Sequence, residues 1–199
     1  MMEGIDVSYI QAGFNFQAAA DAGKEFCIVR IGRTRSDGQQ ELDDYFVDNI
    51  NGAKAAGMKI GIYFYSKATT PEEGRQEANW LLDMMHIYLN GVTLDAGIWL
   101  DVEDPVQTAV GPEQLTTAVM AWVNTMNAAN VYCGVYSYYS MFNSSFVLDN
   151  IPSYVPLWVA GYSSVNYLKV ENPWLNIPVW QYSDAGNIGG RNVDLDVWY

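Results

Sequence analysis

Two carboxylates in this sequence have a spacing that suits acid–base chemistry. Asp101 and Glu103 close the apolar run AGIWLDVE, residues 96–103, which predicts a buried strand. Alternate residues of a strand point to one face, so the two side chains share a face with backbone positions about 6.5 to 7 Å apart. Two acids held together cannot both ionise easily, and one keeps a proton. Such a pair can protonate a leaving oxygen and balance developing positive charge, as glycoside hydrolysis requires.

The same pair also fits other roles. Acids at a strand end can cap a following helix or bind a cation, and Asp104 adds a third carboxylate. A metal enzyme that holds a cation on these three acids is therefore one alternative. Our prediction is that the site uses no metal and no cofactor.

Further acids follow other predicted strands. Asp6 ends the first short apolar run, and Asp194 lies in RNVDLDVWY with Asp196 two residues later. Each also fits a structural role, Asp6 as a helix cap or turn residue and Asp194 in a polar closing loop. Catalytic groups of a (β/α) barrel lie at the carboxyl ends of its parallel strands. We therefore predict that these acids converge there with Asp101 and Glu103.

Aromatic residues are abundant, with 7 Trp and 14 Tyr. Trp158, Trp180 and Tyr182 lie near the ends of short apolar runs, where a flat ring can stack on a sugar. We predict this role for them. Trp99 and Trp122 lie in the middle of a predicted strand and a predicted helix, and we assign them to the core.

The charge balance narrows the function classes. Lys and Arg number 10 against 23 Asp and Glu, which gives a net charge of -13 and argues against a nucleic-acid partner. No Lys or Arg lies between Arg75 and Lys169. Buried carboxylates of that stretch therefore lack a cation nearby in sequence, and we expect burial to raise their pKa values.

Apolar runs alternate with helical segments along the whole chain. Strands are predicted at residues 5–9, 25–32, 58–66, 96–103, 131–138, 156–162 and 177–183, and helices at 14–23, 42–57, 71–88 and 111–130. This alternation predicts an α/β fold with a parallel sheet. A full (β/α) barrel uses ~250 residues, and no convincing helix flanks the last two runs. We predict one domain, residues 1–199, that forms an irregular, abbreviated barrel whose helix ring is incomplete toward the C-terminus.

Cysteine and histidine usage excludes several enzyme classes. Cys27 and Cys133 lie in apolar runs and are predicted to be buried free thiols rather than a disulfide. His86 is the only histidine and lies in a predicted helix, which excludes Ser-His and Cys-His hydrolases and His-built zinc sites. No apolar run reaches the ~20 residues of a membrane span, and we find no signal peptide.

Taken in order, the motifs resemble glycoside hydrolase family 25, the Chalaropsis-type lysozymes. They are GIDVSY, FCIVRIGRT, AKAAGMKIGIYFYS, WLDVE, VYCGVYS, LWVAGY, VWQYS and VDLD, and they run from residue 4 nearly to the C-terminus. The resemblance implies a flattened barrel that lacks part of its helix ring. It also implies hydrolysis of the β-1,4 bond between N-acetylmuramic acid and N-acetylglucosamine in peptidoglycan.

The resemblance assigns roles to the matched acids. Glu103 corresponds to the general acid, and Asp101 to a carboxylate that stabilises the charged intermediate or orients the N-acetyl group. Asp6 and Asp194 correspond to supporting acids. The predicted substrate-binding residues are Tyr63, Tyr65, Tyr136, Trp158, Trp180, Tyr182 and Asp196. Two positions depart from the family pattern, since Asp196 replaces a frequent Asn and Phe64 a frequent His.

Other functions remain open at this point. A chitinase-like hydrolase can use the same D-x-E pair, although the preceding residues 97–100 lack the upstream acids of its D-x-x-D-x-D-x-E motif. A glucosaminidase on the same barrel and an inactive glycan-binding module are further alternatives. We expect a monomer that acts on peptidoglycan strands at the cell wall or outside the cell.

Overall fold

The computed structural model describes residues 1–199, and eight of its nine strands close into a barrel. The strands are β1 Met2–Val7, β2 Phe26–Thr34, β3 Gln40–Leu42, β4 Lys59–Tyr65, β5 Ile98–Asp101, β6 Gly134–Tyr138, β7 Leu157–Ala160, β8 Val179–Ile188 and β9 Arg191–Trp198. The barrel order is β1-β2-β4-β5-β6-β7-β8-β9, and β9 returns to β1. The short β3 pairs antiparallel with the end of β2 and lies outside the barrel.

Helices cover the barrel unevenly. They are α1 Phe16–Asp21, α2 Phe46–Ala55, α3 Pro71–Tyr88, α4 Pro105–Thr108, α5 Pro112–Ala128, α6 Tyr139–Ser145 and α7 Tyr167–Glu171. After α5 only the short α6 and α7 remain, which confirms the incomplete helix ring. Neither short helix was predicted, because segments of 5 and 7 residues carry little periodic signal. No helix is both long and apolar enough to cross a bilayer.

Local sequence explains where the long helix α3 begins. The Thr70 hydroxyl accepts a hydrogen bond from the Glu73 backbone N–H, and the Glu73 carboxylate accepts one in return from the Thr70 N–H. Pro71 occupies the first turn, where it has no hydrogen bond to lose. The predicted start of this helix at Pro71 is confirmed.

The last strand corrects the prediction of an all-parallel barrel. β8 and β9 form an antiparallel hairpin, and β9 is also antiparallel to β1. The physical reason is the turn at Gly189 and Gly190, whose φ angles of 60° and 80° suit a two-residue hairpin turn. Asp194 and Asp196 therefore lie within a returning strand, and not at the carboxyl end of a parallel one as predicted.

The core has two layers separated by the barrel wall. The larger layer lies between the strands and the helices and contains Phe64 and Trp122. The smaller layer fills the barrel interior and contains Phe26, Trp99 and Trp158. Trp99 and Trp122 are both fully buried, which confirms their assignment to the core. The interior below the barrel mouth is thus filled by aromatic rings.

Both cysteines are buried and free, as predicted. Cys27 lies on β2, whose neighbours are β1, β3 and β4. Cys133 precedes β6, whose neighbours are β5 and β7. The two thiols lie on strands that do not neighbour one another.

Close packing at one barrel glycine gives a test of the fold. A Cβ atom on Gly61 of β4 would lie 2.3 Å from the Ala96 backbone oxygen, which belongs to the chain entering β5. Gly61→Ala should lower the free energy of unfolding by about 1–3 kcal/mol, since overpacking forces the backbone to shift. Gly161→Ala is the matched control, because its Cβ would meet no atom closer than 3.6 Å. Equal urea midpoints for the two variants would contradict this packing.

Candidate active site

A cavity of about 170 Å³ opens at the barrel mouth, where the parallel strands end. Its lining residues are Asp6, Tyr63, Asp101, Glu103, Tyr136, Tyr138, Trp158, Tyr162, Gln181, Asp184 and Asp194. The structure thus brings together the four acids that the sequence analysis selected as catalytic. It also places three of the predicted substrate-binding residues, Tyr63, Tyr136 and Trp158, in the same cavity.

Backbone hydrogen bonds fix the D-x-E segment at the end of β5. The Ser66 N–H donates to the Asp101 carbonyl at 2.9 Å, and the Val102 N–H donates to the Tyr136 carbonyl at 2.9 Å. The Ser137 hydroxyl donates to the Val102 carbonyl at 2.6 Å. Val102 is fully buried in the outer layer, so Asp101 and Glu103 both face the cavity as the strand period requires.

Asp101 is an acid in an unfavourable place for negative charge. It is 3% exposed, and its Oδ1 atom has no hydrogen-bond partner. Burial, and then the charge of Glu103, raise the pKa of Asp101 well above its ordinary value, whereas the Arg30 guanidinium opposes this rise. The group can therefore change charge when a ligand alters its surroundings.

Glu103 lies closer to solvent at the cavity wall. Burial raises its pKa, whereas the neighbouring Tyr138 phenol and the charge of Arg30 oppose this rise. Asp194 adds to it through negative charge. A carboxylic acid that keeps its proton above its usual range is suited to donate that proton to a bound oxygen.

Asp6, which lines the cavity, and Asp196 beneath it form a buried carboxyl pair. β1 and β9 place Asp6 directly opposite Asp194 and two positions from Asp196 on the same face of the sheet, and Asp196 Oδ2 is buried without a hydrogen-bond partner. Burial raises both pKa values, that of Asp196 to about 8.

Gln181 holds this pair in place. Its Nε2 donates to Asp6 Oδ2 at 2.7 Å, and its Oε1 accepts from the phenols of Tyr136 and Tyr162, each at 3.0 Å. Asp196 in turn accepts a hydrogen bond from the Trp158 indole N–H at 2.9 Å. Asp196 is 0% exposed, so the structure places it beneath the cavity as a support for Trp158, and not among the residues that line it.

Arg30 supplies the positive charge that faces Asp101 and Glu103. It lies in the middle of β2, is 8% exposed, and pairs with Asp43 at 2.7 Å. Its guanidinium also stacks 4.7 Å from the centre of the Tyr9 ring. No Lys or Arg lies near Asp101 in the sequence. The fold supplies this positive charge by bringing Arg30, about seventy positions earlier, close to Asp101.

Asp104 differs from its neighbours, because it lies outside the cavity and keeps its charge. Its Oδ1 caps α4 by accepting from the Val106 N–H, and its Oδ2 contacts Lys67 Nζ and the Tyr65 phenol, each at 3.0 Å. Although burial opposes it, these partners hold the pKa of Asp104 below its usual range. Asp101, Glu103 and Asp104 form no group arranged to hold a metal ion.

Besides Asp196, three more of the predicted substrate-binding residues do not line the cavity. Tyr65 lies to one side with Asp104. Trp180 and Tyr182 alternate with Gln181 on β8 and therefore occupy its outer face. The Trp180 indole donates to the Gly161 carbonyl at 2.8 Å in a neighbouring groove, and the Tyr182 phenol donates to Glu3 at 2.7 Å.

Other lining residues were missed by the sequence analysis. Gln181 lies between Trp180 and Tyr182 on β8. Because alternate residues of a strand face opposite sides, Gln181 and its two aromatic neighbours cannot all face the cavity. Tyr138 and Tyr162 are 38% and 47% exposed at the cavity rim, where they can contact a ligand. Each is the last residue of a predicted strand, although nothing in their spacing sets them apart from other tyrosines. Nothing in the sequence around Asp184 indicates that it lines the cavity.

The buried pair gives a prediction on stability. The pKa of Asp196 is about 8 when folded and about 4 in an unfolded chain, so its stabilising contribution is complete below pH 4 and is lost as pH rises toward 8. Asp196→Asn removes this titrating group and keeps the shape of the side chain. From pH 5 to 8 the free energy of unfolding should fall less steeply in the variant, by up to about 1.4 kcal/mol per pH unit. Urea titrations measure this, with the exposed Asp44→Asn as control, and parallel curves for all three proteins would refute it.

Comparison with known proteins connects this site to a family. The family model "Glycosyl hydrolases family 25" matches residues 5–191. An autolytic lysozyme of Clostridium acetobutylicum is 28% identical over 98% of this chain and 55% of its own length. Lysozyme M1 of Streptomyces globisporus is 25% identical over 98% of this chain and 66% of its own length. The chain thus spans between half and two thirds of these relatives.

Solved structures share the fold. The modular autolysin LytC from Streptococcus pneumoniae superposes with a TM-score of 0.84 at 24% identity, over 100% of this chain and 46% of that one. A muramidase from Trichobolus zukalii superposes with a TM-score of 0.78 at 22% identity, over 100% of this chain and 94% of that one. Because the family model covers residues 5–191, which include Asp6, Asp101 and Glu103 of the cavity, the chain belongs to glycosyl hydrolase family 25.

Proposed function

We propose that this domain hydrolyses the β-1,4 bond between N-acetylmuramic acid and N-acetylglucosamine in peptidoglycan. One observation carries the proposal: Asp101 and Glu103 face one cavity with raised pKa values, in a member of a glycosyl hydrolase family. The relatives named lysozymes favour a bacterial wall as the substrate. The domain would then act at the wall or outside the cell. A monomer suffices, because one chain supplies every lining residue of the cavity.

Glu103 is the proton donor in this proposal. Its proton passes to the glycosidic oxygen as the bond from that oxygen to the anomeric carbon breaks. On one route the substrate acetamido oxygen bonds to that carbon, and water then displaces it and passes a proton to the Glu103 carboxylate. On the other route water bonds to the carbon directly and passes its proton to a second carboxylate, and Glu103 regains a proton from solvent. The raised pKa keeps Glu103 protonated for the first step, and the resulting carboxylate is suited to the last.

Asp101 responds to the bound sugar. Its Oδ1 is a buried acceptor without a partner in the chain, and an acetamido N–H of the substrate would satisfy it. A hydrogen bond to the ionised form favours that form, so sugar binding would draw the proton from Asp101. The negative charge then stabilises positive charge at the anomeric carbon and orients the acetamido group.

The remaining side chains hold the site in shape. Asp6 and Asp194 lie on adjacent strands and add negative potential opposite Glu103. The ring centre of Trp158 lies 4.4 Å from that of Tyr136 and 6.2 Å from that of Tyr63, and these three rings form the floor of the cavity. Tyr138 and Tyr162 stand at the exposed rim, where they can stack on the sugar.

Removal of the proton donor tests its role. Glu103→Gln should reduce the rate at which cell-wall suspensions clear by about 10²–10⁴-fold, because a side-chain amide is not acidic enough to transfer a proton to the glycosidic oxygen. The fold should persist, because Glu103 is partly exposed and lies beyond the last residue of β5. Glu113→Gln is the matched control, an exposed acid on α5 that should keep full activity. Clearing by Glu103→Gln at the control rate would exclude Glu103 as the donor.

The identity of the cleaved bond needs a separate test. Mass spectrometry of products from purified peptidoglycan should find N-acetylmuramic acid at the new reducing ends. N-acetylglucosamine at these ends would identify a glucosaminidase instead. Binding of glycan strands without any new reducing end would identify an inactive sugar-binding domain.

A further inference from the structure

A second, larger cleft lies beside the acid cavity. The strand register places Arg33 of β2 next to Tyr65 of β4, and Tyr65 next to Asp101 of β5. Neighbouring strands lie about 4.8 Å apart, so the backbone of Arg33 is about 10 Å from that of Asp101. A bound sugar chain that contacts Asp101 would therefore carry its substituents toward Arg33.

The cleft consists of two adjoining depressions of about 450 and 310 Å³. They share Thr34, Arg35, Ser36 and Lys67, and the smaller one reaches Arg30 and Tyr65 beside the acid cavity. The cleft gathers four of the ten Lys and Arg residues of a chain with net charge -13. An anionic group approaching this acidic domain would meet the least repulsion here.

Most of the hydrogen-bonding capacity of these cations is unused. Arg33 donates only its Nε–H, to Glu41 at 2.6 Å, and its terminal nitrogens form no hydrogen bond within the chain. Arg35 approaches Asp37 and Glu41 at 3.2 and 3.6 Å without a hydrogen bond. Both side chains are about half exposed, at 44% and 52%. The neighbouring acids thus orient two guanidinium groups without saturating them.

The base of the cleft is rigid and polar. The Glu77 carboxylate, 1% exposed, accepts hydrogen bonds from the Thr34 and Ser66 hydroxyls at 2.7 and 2.6 Å and from the Lys67 N–H at 3.0 Å. These bonds tie the ends of β2 and β4 to α3. Side-chain amides and a hydroxyl also line the cleft at Gln40, Gln76 and Thr69, together with the Glu73 carboxylate, which is already bonded to Thr69 and Thr70. Such groups suit the backbone amides of a peptide.

We propose that this cleft binds the carboxylate-bearing peptide that branches from the muramic acid residue next to the cleaved bond. The proposal rests on the proposed function, since it requires peptidoglycan as the substrate. The Arg33 and Arg35 guanidinium groups pair with peptide carboxylates, for which their planar donor geometry is suited. An extended peptide of three residues spans about 10 Å, which matches the distance from Asp101 to Arg33.

The test compares two forms of one substrate. Peptidoglycan freed of teichoic acid is used intact, or after an amidase has removed its peptides, and release of reducing ends gives kcat/KM. The double variant Arg33→Gln with Arg35→Gln should lose about tenfold on intact peptidoglycan, equivalent to about 1.4 kcal/mol, and change less than twofold on stripped strands. Arg35→Gln alone, which removes no hydrogen bond, should show a smaller loss on intact peptidoglycan only.

The control is a double variant that removes two exposed lysines outside the cleft, Lys54→Gln with Lys59→Gln, and it should match the wild type on both substrates. An equal loss on intact and stripped strands, or no loss on either, would overturn the peptide cleft. A loss seen only when teichoic acid is retained would overturn it in favour of a phosphate ligand. Failure of the wild type to cleave either substrate would instead refute the proposed function, and the peptide cleft with it.

Discussion

The structure depends on keeping protons on carboxyl groups inside a barrel. Asp6, Asp101 and Asp196 are each at most 6% exposed, and Glu103 and Asp194 lie directly above them. Arg30 brings positive charge to Asp101 and Glu103, and it is already paired with Asp43. Full ionisation would leave several negative charges with little compensation at low dielectric, which is strongly unfavourable. The cluster is therefore stable only while part of it remains protonated, and a site that stores protons is suited to general acid catalysis.

The barrel creates this environment through its closure and its aromatic interior. The ring of Trp158 contacts Trp99 below and Tyr136 beside it, and this packing excludes water from beneath Asp6 and Asp101. The antiparallel β9 places Asp194 opposite Asp6 and Asp196 opposite Gly4 of β1. Polar bonds from Gln181 and Trp158 hold the two buried carboxyls of Asp6 and Asp196 in position. The same features that stabilise the fold thus raise the pKa values on which the proposed chemistry depends.

Sequence reasoning recovered the parts that local patterns encode. The apolar runs predicted the parallel strands, the spacing of Asp101 and Glu103 predicted their shared face, and Thr70 with Pro71 marked the start of α3. The parts it missed depend on contacts between distant segments. The direction of β9 is decided by a turn of two glycines, and the inward face of β8 belongs to Gln181 rather than to the neighbouring Trp180 and Tyr182. Likewise, Arg30 and Lys67 supply the charges near Asp101 and Asp104, although no cation lies near these acids in sequence.

The retention of protons by the acid cluster can be measured directly by carbon-13 NMR of the aspartate carboxyl groups between pH 3 and 9, with Asp6→Asn and Asp196→Asn to assign the signals. We predict that one carboxyl of the Asp6–Asp196 pair remains protonated through neutral pH and titrates near pH 8, because both groups are buried beside each other and beside the negative charge of Asp194. If both instead titrate near pH 4, as exposed aspartates do, the pair holds no proton at neutral pH, and the barrel does not keep its buried carboxyls protonated.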